Sequence, residues 1–385
     1  MIIDEVSMLD STVIEHLHSQ LVKVKSNPEI NFDGVNIIFF SDFLQLPVVL
    51  NPDIYVNNNG LGYRLWRSLN GVIILTQQMR QARDPSYVAL LSRCRVRKPT
   101  DDDIEKLRDC IGAKLPNMQS AAVTVRRHAL CQAINMQRLR EEESKSDNRI
   151  VYCVGDVKKL YKLSLHAAYQ VQFGEYESPV DAILPLLPGV PLMITKNINR
   201  TLSTYTFLHH TDRVIDLVNG KIVNFVGFAD SEGNQPNRQI IIPPAYMLVK
   251  MPGKDFRLGH FPVSVFPLEL STLTFEVRKR RQLIRQATFR QFPVTLAYTI
   301  TDYKSQGETY SNGLLTDLCK PLTGSTQAAS LYVQLSRVQT IQQLSIMRDF
   351  DPEELRKPLP HDLIEELKWE QEMDKTMRKK YSYLE

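Results

Sequence analysis

The chain of 385 residues has few cysteines, and their spacing excludes two kinds of stabilising site. The five cysteines are far apart, odd in number and without a CxxC pair, which indicates reduced thiols inside a cell rather than a disulfide framework or a zinc site. The eight histidines form no HExxH motif. The longest apolar runs are far shorter than the about 20 residues that a membrane helix needs. We therefore expect an intracellular protein that has no membrane segment.

The composition is that of a globular protein with real hydrophobic cores. Hydrophobic residues make up 43% of the chain and charged residues 23%, which argues against disorder, and the length predicts two to three domains. The net charge of +4 permits a nucleic acid as partner without demanding one.

The first hundred residues alternate between strand and helix patterns. The apolar stub Met1 to Ile3 is followed by a helical stripe at Val13, Ile14, Leu17, Leu21 and Val24, and further apolar runs lie at 35–40 and 72–75. This order predicts parallel strands joined by crossovers. The ends of parallel strands meet at one edge of a sheet, so we expect the polar residues that follow each run to lie close together.

The rest of the chain predicts a second α/β domain with a β-rich insertion. A helix is expected at 85–97, a strand at 121–125, hairpin-like turns and short apolar runs between about 196 and 290, and α/β patterns again at 294–301, 313–316 and 344–347. We expect the charged tail to form one or two peripheral helices. The predicted segments are 1–98, 99–195, 196–292, 293–350 and the tail 351–385.

Asp4 and Glu5, directly after an apolar strand, have a definite role in P-loop ATPases. One carboxylate holds Mg²⁺ and the next polarises the attacking water. Such a short match is weak by itself, and a solvated loop is the favoured alternative. No GxxxxGK[ST] loop, which would cradle the phosphates, occurs in the 385 residues.

Further strand ends and a helix carry residues suited to phosphate chemistry. Gln45, in the run SDFLQLP, can hydrogen-bond a γ-phosphate or the hydrolytic water, and Arg80 supplies a cation. The run TDYKSQG at 301–307 offers small and polar groups for phosphate oxygens. Arg337 follows a predicted helix and can reach across a cleft as an arginine finger.

Taken together, IIDEVSMLD, DFLQLP, LTQQMRQARD, TDYKSQG and YVQLSRV resemble, in that order, motifs II to VI of the Pif/RecD-like branch of superfamily 1 DNA helicases. The resemblance covers nearly the whole chain. It implies an α/β fold of two RecA-like domains, the first incomplete here, with a small SH3-like barrel inserted in the second. It also implies ATP-driven translocation along DNA in the 5′ to 3′ direction.

The resemblance also implies roles for individual residues. Asp4 would hold Mg²⁺, Glu5 would be the catalytic base, and Gln45 would sense the γ-phosphate of ATP. Arg80 and Arg337 would be the two cations around that phosphate. The residues that would couple the nucleotide to DNA are Tyr303, Lys304 and Ser305 on the DNA side and Gln306 and Gly307 on the nucleotide side. Asp42 is interpreted as structural, holding the loop that presents Gln45.

The sequence departs from the family pattern at Ser41, Val48, Tyr303 and Gln334, where the family usually has Gly, Pro, His and Ala. An aromatic residue at 303 can still stack on a base. The missing phosphate loop leads us to expect an N-terminally truncated helicase that binds single-stranded DNA weakly and hydrolyses ATP negligibly. Its expected partners are single-stranded DNA and DNA junctions, its expected state a monomer, and its expected location the nucleus or mitochondrion of a eukaryotic cell.

Several alternatives stay open at this stage. The chain can be a catalytically dead, nucleic-acid-binding remnant of a mobile-element helicase, and another P-loop ATPase is the less favoured reading. The basic run at 278–281, with Arg285 and Arg290, fits either a DNA-tracking surface of the barrel or the solvated face of a linking helix. Leu65 and Trp66 are interpreted as core residues.

Overall fold

The computed structural model describes residues 1–25, 29–48, 51–57, 59–118, 120–155, 181–198, 217–229, 240–241, 243–253, 255–258, 261–279, 282–320 and 328–382. Its helices, in chain order, are α1 Ser11–Lys25, α2 Leu61–Arg67, α3 Pro85–Arg95, α4 Asp101–Asp109, α5 His128–Ser144, α6 Asp302–Ser305, α7 Ala328–Leu335, α8 Glu353–Arg356 and α9 His361–Lys380.

The strands of the described residues are two to ten residues long. In chain order they are β1 Ile2–Ile3, β2 Ile38–Phe39, β3 Ala122–Val125, β4 Val151–Val154, β5 Ile183–Leu186, β6 Pro191–Ile194, β7 Ile222–Ala229, β8 Ile240–Ile241, β9 Tyr246–Lys250, β10 Val265–Glu269, β11 Ser271–Lys279, β12 Gln282–Gln291, β13 Val294–Leu296, β14 Thr299–Thr301, β15 Leu314–Thr316 and β16 Leu344–Ile346.

The chain divides into two compact units. The first unit combines Met1–Thr124 with Ser305–Glu385, and the second is Val125–Lys304. The boundaries predicted from the sequence, at 98, 195, 292 and 350, do not coincide with this division, and they stay predictions. No helix of the described residues is long and apolar enough to cross a membrane.

The first unit begins with the predicted strand, helix, strand order. Strands β1 and β2 pair in parallel, with Ile3 opposite Phe39. The carboxylate of Asp10 caps the start of α1 by accepting the Val13 N–H at 3.0 Å. Ile14 is fully buried, whereas Val24 is 80% exposed. The predicted apolar stripe is therefore shorter than expected, because its last residue, Val24, extends beyond the core.

The prediction of a strand at 72–75 is wrong. These residues form no strand, and both backbone groups of Ile74 bind side chains of α9: its N–H donates to Asp374 Oδ1 at 2.9 Å, and its carbonyl accepts from the Arg378 guanidinium at 2.9 Å. The tail forms two helices, α8 and α9, as predicted. Helix α9 is not wholly peripheral, because Leu363 and Glu366 are buried and Leu363 joins a core of the first unit. Leu65 and Trp66 are core residues, as predicted.

A second parallel sheet lies in the first unit. Strand β15 pairs in parallel with β3 on one side and with β16 on the other. Helices α3 and α4 and helix α7 contribute to one apolar core with these strands. Asp84 caps α3 by accepting the Tyr87 N–H, and Thr100 with Asp103 forms a capping box at α4. These caps fix where the two helices start.

The second unit is dominated by antiparallel pairing. Its largest described sheet has the order β10, β9, β7, β6, β13, and β4 pairs with β5 and β8 in another sheet. Strands β6 and β13 lie outside the predicted insertion at 196–292, and the predicted SH3-like barrel is not confirmed. The predicted strand at 294–301 is split into β13 and β14.

Arg278 and Lys279, the first two residues of the basic run, end β11, which pairs antiparallel with β12. The interpretation as a linking helix is therefore wrong. Residues 280 and 281 lie outside the described residues. Arg290, the last arginine of this set, is exposed.

Candidate functional site

The site starts at the shared edge of β1 and β2. The Phe40 N–H donates to the Ile3 carbonyl at 2.8 Å and the Val6 N–H donates to the Phe40 carbonyl at 3.1 Å, so the ladder continues on both sides of Asp4 and Glu5. Glu5 has a left-handed backbone with φ 54° and ψ 45°, a conformation that costs a non-glycine residue about 1–3 kcal/mol. Strain of this kind is concentrated at functional positions.

The Glu5 carboxylate is bound by the segment that follows α6. Gln306 Nε2 donates to Glu5 Oε2 at 2.7 Å. Gly307 has φ +80°, and a Cβ there would lie 3.9 Å from Glu5 Oε1. The second amide atom, Gln306 Oε1, is buried without a hydrogen-bond partner in the structure. A buried acceptor left unpaired costs free energy, so a donor from a bound molecule or water is expected there.

Gln45 is presented by a loop that Asp42 holds. The Asp42 carboxylate accepts from the Leu44 N–H at 3.1 Å, from Gln45 Nε2 at 3.1 Å and from the Arg95 guanidinium at 2.7 Å. The amide oxygen of Gln45, which is not hydrogen-bonded to Asp42, accepts a hydrogen bond from the Arg337 guanidinium at 3.5 Å. The structural role interpreted for Asp42 agrees with these contacts.

Arg80 and two neighbours bind the carbonyls at the end of α7. Arg80 donates to the Ser336 carbonyl at 2.9 Å and to Thr309 Oγ1 at 2.8 Å. Gln81 donates to the Ser336 and Val338 carbonyls at 2.9 and 2.8 Å, and the Tyr87 hydroxyl donates to the Leu335 carbonyl at 2.6 Å. The last carbonyls of a helix have no partner within the helix, and here the Arg80 segment supplies the donors.

Arg337 lies at the centre of these contacts and is 2% exposed. Its guanidinium donates to the Val333 carbonyl at 2.8 Å and to Ser336 Oγ at 2.7 Å. Burial and then the positive charge of Arg80 lower the pKa of Arg337, which is about 10 although Tyr332 and Glu5 act in the opposite direction. Two guanidinium groups are thus close enough to repel each other.

Arg80 has the same kind of environment. Burial lowers its pKa, and the negative charges of Glu308 and Glu5 partly offset this effect. Within the part of the chain that the structure describes, neither Arg80 nor Arg337 forms an ion pair with a carboxylate, although other arginines of the unit do. A desolvated pair of arginines without a carboxylate partner has the chemistry of a phosphate-binding site.

The structure therefore brings together Glu5, Gln45, Arg80, Gln306 and Arg337, which the sequence placed at separate motifs. Asp4 is exposed at the same strand end, where its carboxylate accepts the Glu5 N–H at 2.9 Å. One exposed carboxylate fits Mg²⁺, which keeps several waters and takes one or two protein carboxylates. No group of three or more His, Cys, Asp or Glu residues that could hold a metal ion occurs among the described residues.

The predicted DNA-contacting residues are placed differently. Tyr303 and Lys304 are half-buried, and Ser305 is fully buried. Burial lowers the pKa of Lys304, and Asp181 and Cys131 within its own unit raise it. The roles assigned to these three residues stay predictions.

Sequence reasoning missed Gln81, Tyr87 and the environment of Gln334. Gln81 adjoins Arg80 in the motif LTQQMRQARD, and that adjacency was the available signal. Gln334 is fully buried and accepts from Thr316 Oγ1 and, at 3.3 Å, from Thr124 Oγ1. The larger residue at this departure from the family pattern is thus accommodated by two threonines of the second parallel sheet.

Comparison with known proteins supports the resemblance to helicases that the sequence motifs indicated. A sequence model described as PIF1-like helicase matches residues 1–89. The zebrafish (Danio rerio) ATP-dependent DNA helicase PIF1 is 26% identical over 352 residues, which cover 91% of this chain and 46% of that protein. The rat (Rattus norvegicus) ATP-dependent DNA helicase PIF1 is 26% identical over 361 residues, covering 92% and 47%. The resemblance to Pif1-like helicases is confirmed.

Solved Pif1 structures share the fold. The Pif1 helicase from Candida albicans aligns with a TM-score of 0.66 at 21% identity, covering 95% of this chain and 75% of that one. The Bacteroides Pif1 helicase in complex with ADP-AlF3 and ssDNA aligns with a TM-score of 0.58 at 20% identity, covering 95% and 74%. The α/β fold class of Pif1 helicases is thereby confirmed. The chain spans about half the length of the curated relatives it matches.

Proposed function

We propose that the chain acts in an ATP-dependent DNA helicase of the Pif1 type, which couples ATP hydrolysis to 5′ to 3′ translocation and duplex unwinding. The observation that carries the proposal is the pair Arg80 and Arg337, held beside Gln45 and Glu5 without a carboxylate partner among the described residues. The Pif1-like relatives are named ATP-dependent DNA helicases, and one related structure holds ADP-AlF3 and ssDNA.

The residues divide the work of phosphoryl transfer between them. Bound ATP with Mg²⁺ supplies the phosphoryl group to be transferred to water. Asp4 would hold the metal ion, which would polarise phosphate oxygens, and Glu5 would orient the attacking water and take its proton. Gln45 contacts the terminal phosphate, and Arg80 and Arg337 stabilise the negative charge that develops on its oxygens. Arg337 is available for this because its other donors bind carbonyl and hydroxyl groups, which leave its charge unneutralised.

The link to DNA runs through the segment at 301–307. Gln306 donates to Glu5, so movement of this segment changes the environment of the proposed base. We assign Tyr303 to base stacking and Lys304 and Ser305 to the DNA backbone, with Gln306 and Gly307 on the nucleotide side. The proposed partners are single-stranded DNA and DNA junctions, and the proposed form is a monomer.

The predicted domain boundaries belong to the same proposal. We assign 1–98 to the first RecA-like domain, 99–195 and 293–350 to the second, and 196–292 to the insertion, with 351–385 as the tail. The proposed location is the nucleus or the mitochondrion of a eukaryotic cell.

The experiment measures DNA-stimulated phosphate release and the binding of a fluorescent single-stranded oligonucleotide. It uses the chain of 385 residues and, where its gene encodes an in-frame GxxxxGK[ST] upstream, that longer form. We expect the shorter form to bind DNA weakly with little phosphate release, because it contains no phosphate loop. We expect the longer form to release phosphate in a DNA-dependent way.

Two variants with the same change of charge make the experiment decisive. Glu5→Gln should abolish the DNA-dependent release, whereas Glu15→Gln, an exposed residue of α1, should leave it intact. Release that Glu5→Gln does not reduce, or a lack of DNA binding in every form, would exclude the proposed helicase. Robust release from the shorter form, lost in Glu5→Gln, would show that it contains an unrecognised phosphate loop.

A second candidate function is a nucleic-acid-binding remnant without ATP turnover. A gene without an in-frame GxxxxGK[ST] upstream of Met1 would favour it. It predicts that DNA binding persists, that no encoded form releases phosphate, and that Glu5→Gln changes nothing.

A further inference from the structure

The segment that carries Arg80 has no neighbouring strand in the described structure. Residues 72–79 belong to no strand or helix, and Leu75 and Met79 are 80% and 71% exposed. A backbone without ladder hydrogen bonds needs other partners to hold one conformation. The position of Arg80 therefore depends on what binds the two ends of this segment.

One end is held on α7. Arg80 and Gln81 donate to the Ser336 carbonyl, and Gln81 also donates to the Val338 carbonyl. Gln81 is 2% exposed, so these bonds are shielded from water. They fix the last residues of the segment against the end of α7, next to Arg337.

The other end is held on α9. Asp374 accepts the Ile74 N–H at 2.9 Å, Arg378 donates to the Ile74 carbonyl at 2.9 Å, and the two side chains bind each other at 2.9 Å. These bonds satisfy both backbone groups of Ile74, as a neighbouring strand would. The side chain of Asp374 is 14% exposed, so its bond to Ile74 is largely protected from competing water.

Further contacts fix α9 at the start of the same segment. A Cβ on Gly71 would lie 2.5 Å from Met377 Sδ, so the glycine allows the helix to approach the chain closely. Nearer the start of α9, Glu366 accepts a hydrogen bond from Trp66 Nε1 at 2.8 Å and forms an ion pair with Arg67 at 2.6 Å. The Arg67 guanidinium lies 4.7 Å from the centroid of the Trp369 ring.

We propose that Asp374 and Arg378 of α9 are positioning residues for Arg80. The segment between Ile74 and Arg80 is then suspended between α9 and the end of α7. What Arg80 does once it is positioned rests on the proposed function, but the holding of the segment does not.

Hydrogen exchange measured by mass spectrometry on the 385-residue chain tests the proposal without requiring ATP turnover. The double variant Asp374→Ala with Arg378→Ala should speed exchange about tenfold at Ile74, and should also speed it across 78–83 and 333–338. The matched control is Glu372→Ala with Lys375→Ala, which removes an exposed ion pair from the same helix. This control should leave all three regions unchanged. Exchange within 361–380 reports whether α9 stays folded.

A conservative variant separates positioning from general loosening. Asp374→Asn keeps an oxygen that can accept the Ile74 N–H, so it should retain most of the protection that Asp374→Ala loses. Unchanged exchange in the double variant, with α9 still folded, would overturn the proposal. Faster exchange at Ile74 alone would also overturn it, because α9 would then hold its local contact without positioning Arg80.

Activity provides an independent second measurement. In a form with DNA-stimulated phosphate release, the double variant should lower kcat about tenfold and leave KM for ATP unchanged. Normal kcat despite faster exchange across 78–83 would contradict the positioning role. If no form releases phosphate, the proposed function fails while the exchange result still decides the role of α9.

Discussion

Two sets of arginines in the first unit have the same side chain and opposite electrostatic environments. On α3, Arg93 pairs with Asp103 at 2.6 Å and Arg95 pairs with Asp42 at 2.7 Å. Arg80 and Arg337 bind carbonyls, hydroxyls and an amide, and have no carboxylate partner within the described residues. The first set is neutralised by the fold, and the second keeps its positive charge.

The difference shows how the fold separates stability from function. A buried charge is costly unless it is paired, so a protein that retains an unpaired, desolvated guanidinium gives up stability at that position. Arg93 and Asp103 connect two helices and complete a cap, which is a structural use. The proposed function assigns the Arg80 and Arg337 pair to the negative charge of a bound phosphate.

The largest effect is expected when the charge of Arg337, one of the two arginines in the second set, is removed. Arg337→Met removes the charge but keeps much of the apolar stem, and we expect DNA-stimulated phosphate release to fall by about a thousandfold without a loss of thermal stability. Phosphate release and the midpoint of thermal unfolding check this in a form with turnover. A protein that unfolds several degrees earlier with normal turnover would identify Arg337 as structural.

The next effect concerns the paired set. Asp103→Ala removes the ion pair with Arg93 and the capping box, and we expect it to lower the free energy of unfolding by about 2–3 kcal/mol. Burial alone would raise the pKa of Asp103, but the bonds from Arg93 and Thr100 outweigh burial and lower it to about 2. The stabilisation is thus present above pH 4 and is lost as the pH falls towards 2.

Denaturant unfolding at pH 7 and at pH 2 measures that contribution. Asp102→Ala, on the exposed side of the same helix turn, is the matched control and should cost much less. Equal losses from the two variants at pH 7 would contradict a special role for Asp103.

A smaller effect is expected at the ion pair of Asp42 with Arg95, which both neutralises an arginine and holds the loop that carries Gln45. Asp42→Asn keeps an acceptor for the Leu44 N–H but weakens the pairing with Arg95, so Gln45 is held less firmly. We expect phosphate release to fall about tenfold with little change in DNA binding. The control is Asp109→Asn, an exposed residue at the end of α4. Unchanged turnover in Asp42→Asn would show that the loop is held by other contacts.

The smallest effect is a dependence on pH near the paired set. Burial, followed by the charges of Glu366 and Asp42, raises the pKa of Glu370 to about 7. The folded protein then binds more protons than the unfolded chain between about pH 4.5 and 7, so stability falls as the pH rises through this range.

Glu370→Gln removes this titration. We expect it to stabilise the protein by about 1 kcal/mol at pH 8, with little change at pH 5. Thermal unfolding at the two pH values checks this, with the exposed Glu372→Gln as control. Equal shifts at both pH values would exclude the titration of Glu370 as the cause.

Local pattern was sufficient for much of the first unit and for the composition of the site. The sequence predicted helices α1 and α3, and Trp66 was correctly interpreted as core. The order of short polar motifs selected Glu5, Gln45, Arg80 and Arg337. Glu5 and Gln45 follow the parallel strands β1 and β2, whose ends meet at one edge.

Tertiary structure decided what no local pattern encodes. The apolar run at 72–75 has the composition of a strand, yet its backbone partners are Asp374 and Arg378, 300 and 304 residues away. Gln81 and Tyr87 likewise donate hydrogen bonds to carbonyls at the end of α7, 255 and 248 residues away along the chain. Hydrophobic periodicity reports which face of a segment is buried, but the partner that satisfies its hydrogen bonds depends on long-range packing. The sequence by itself therefore predicted which residues carry the proposed chemistry, and the fold decided which groups hold them in place.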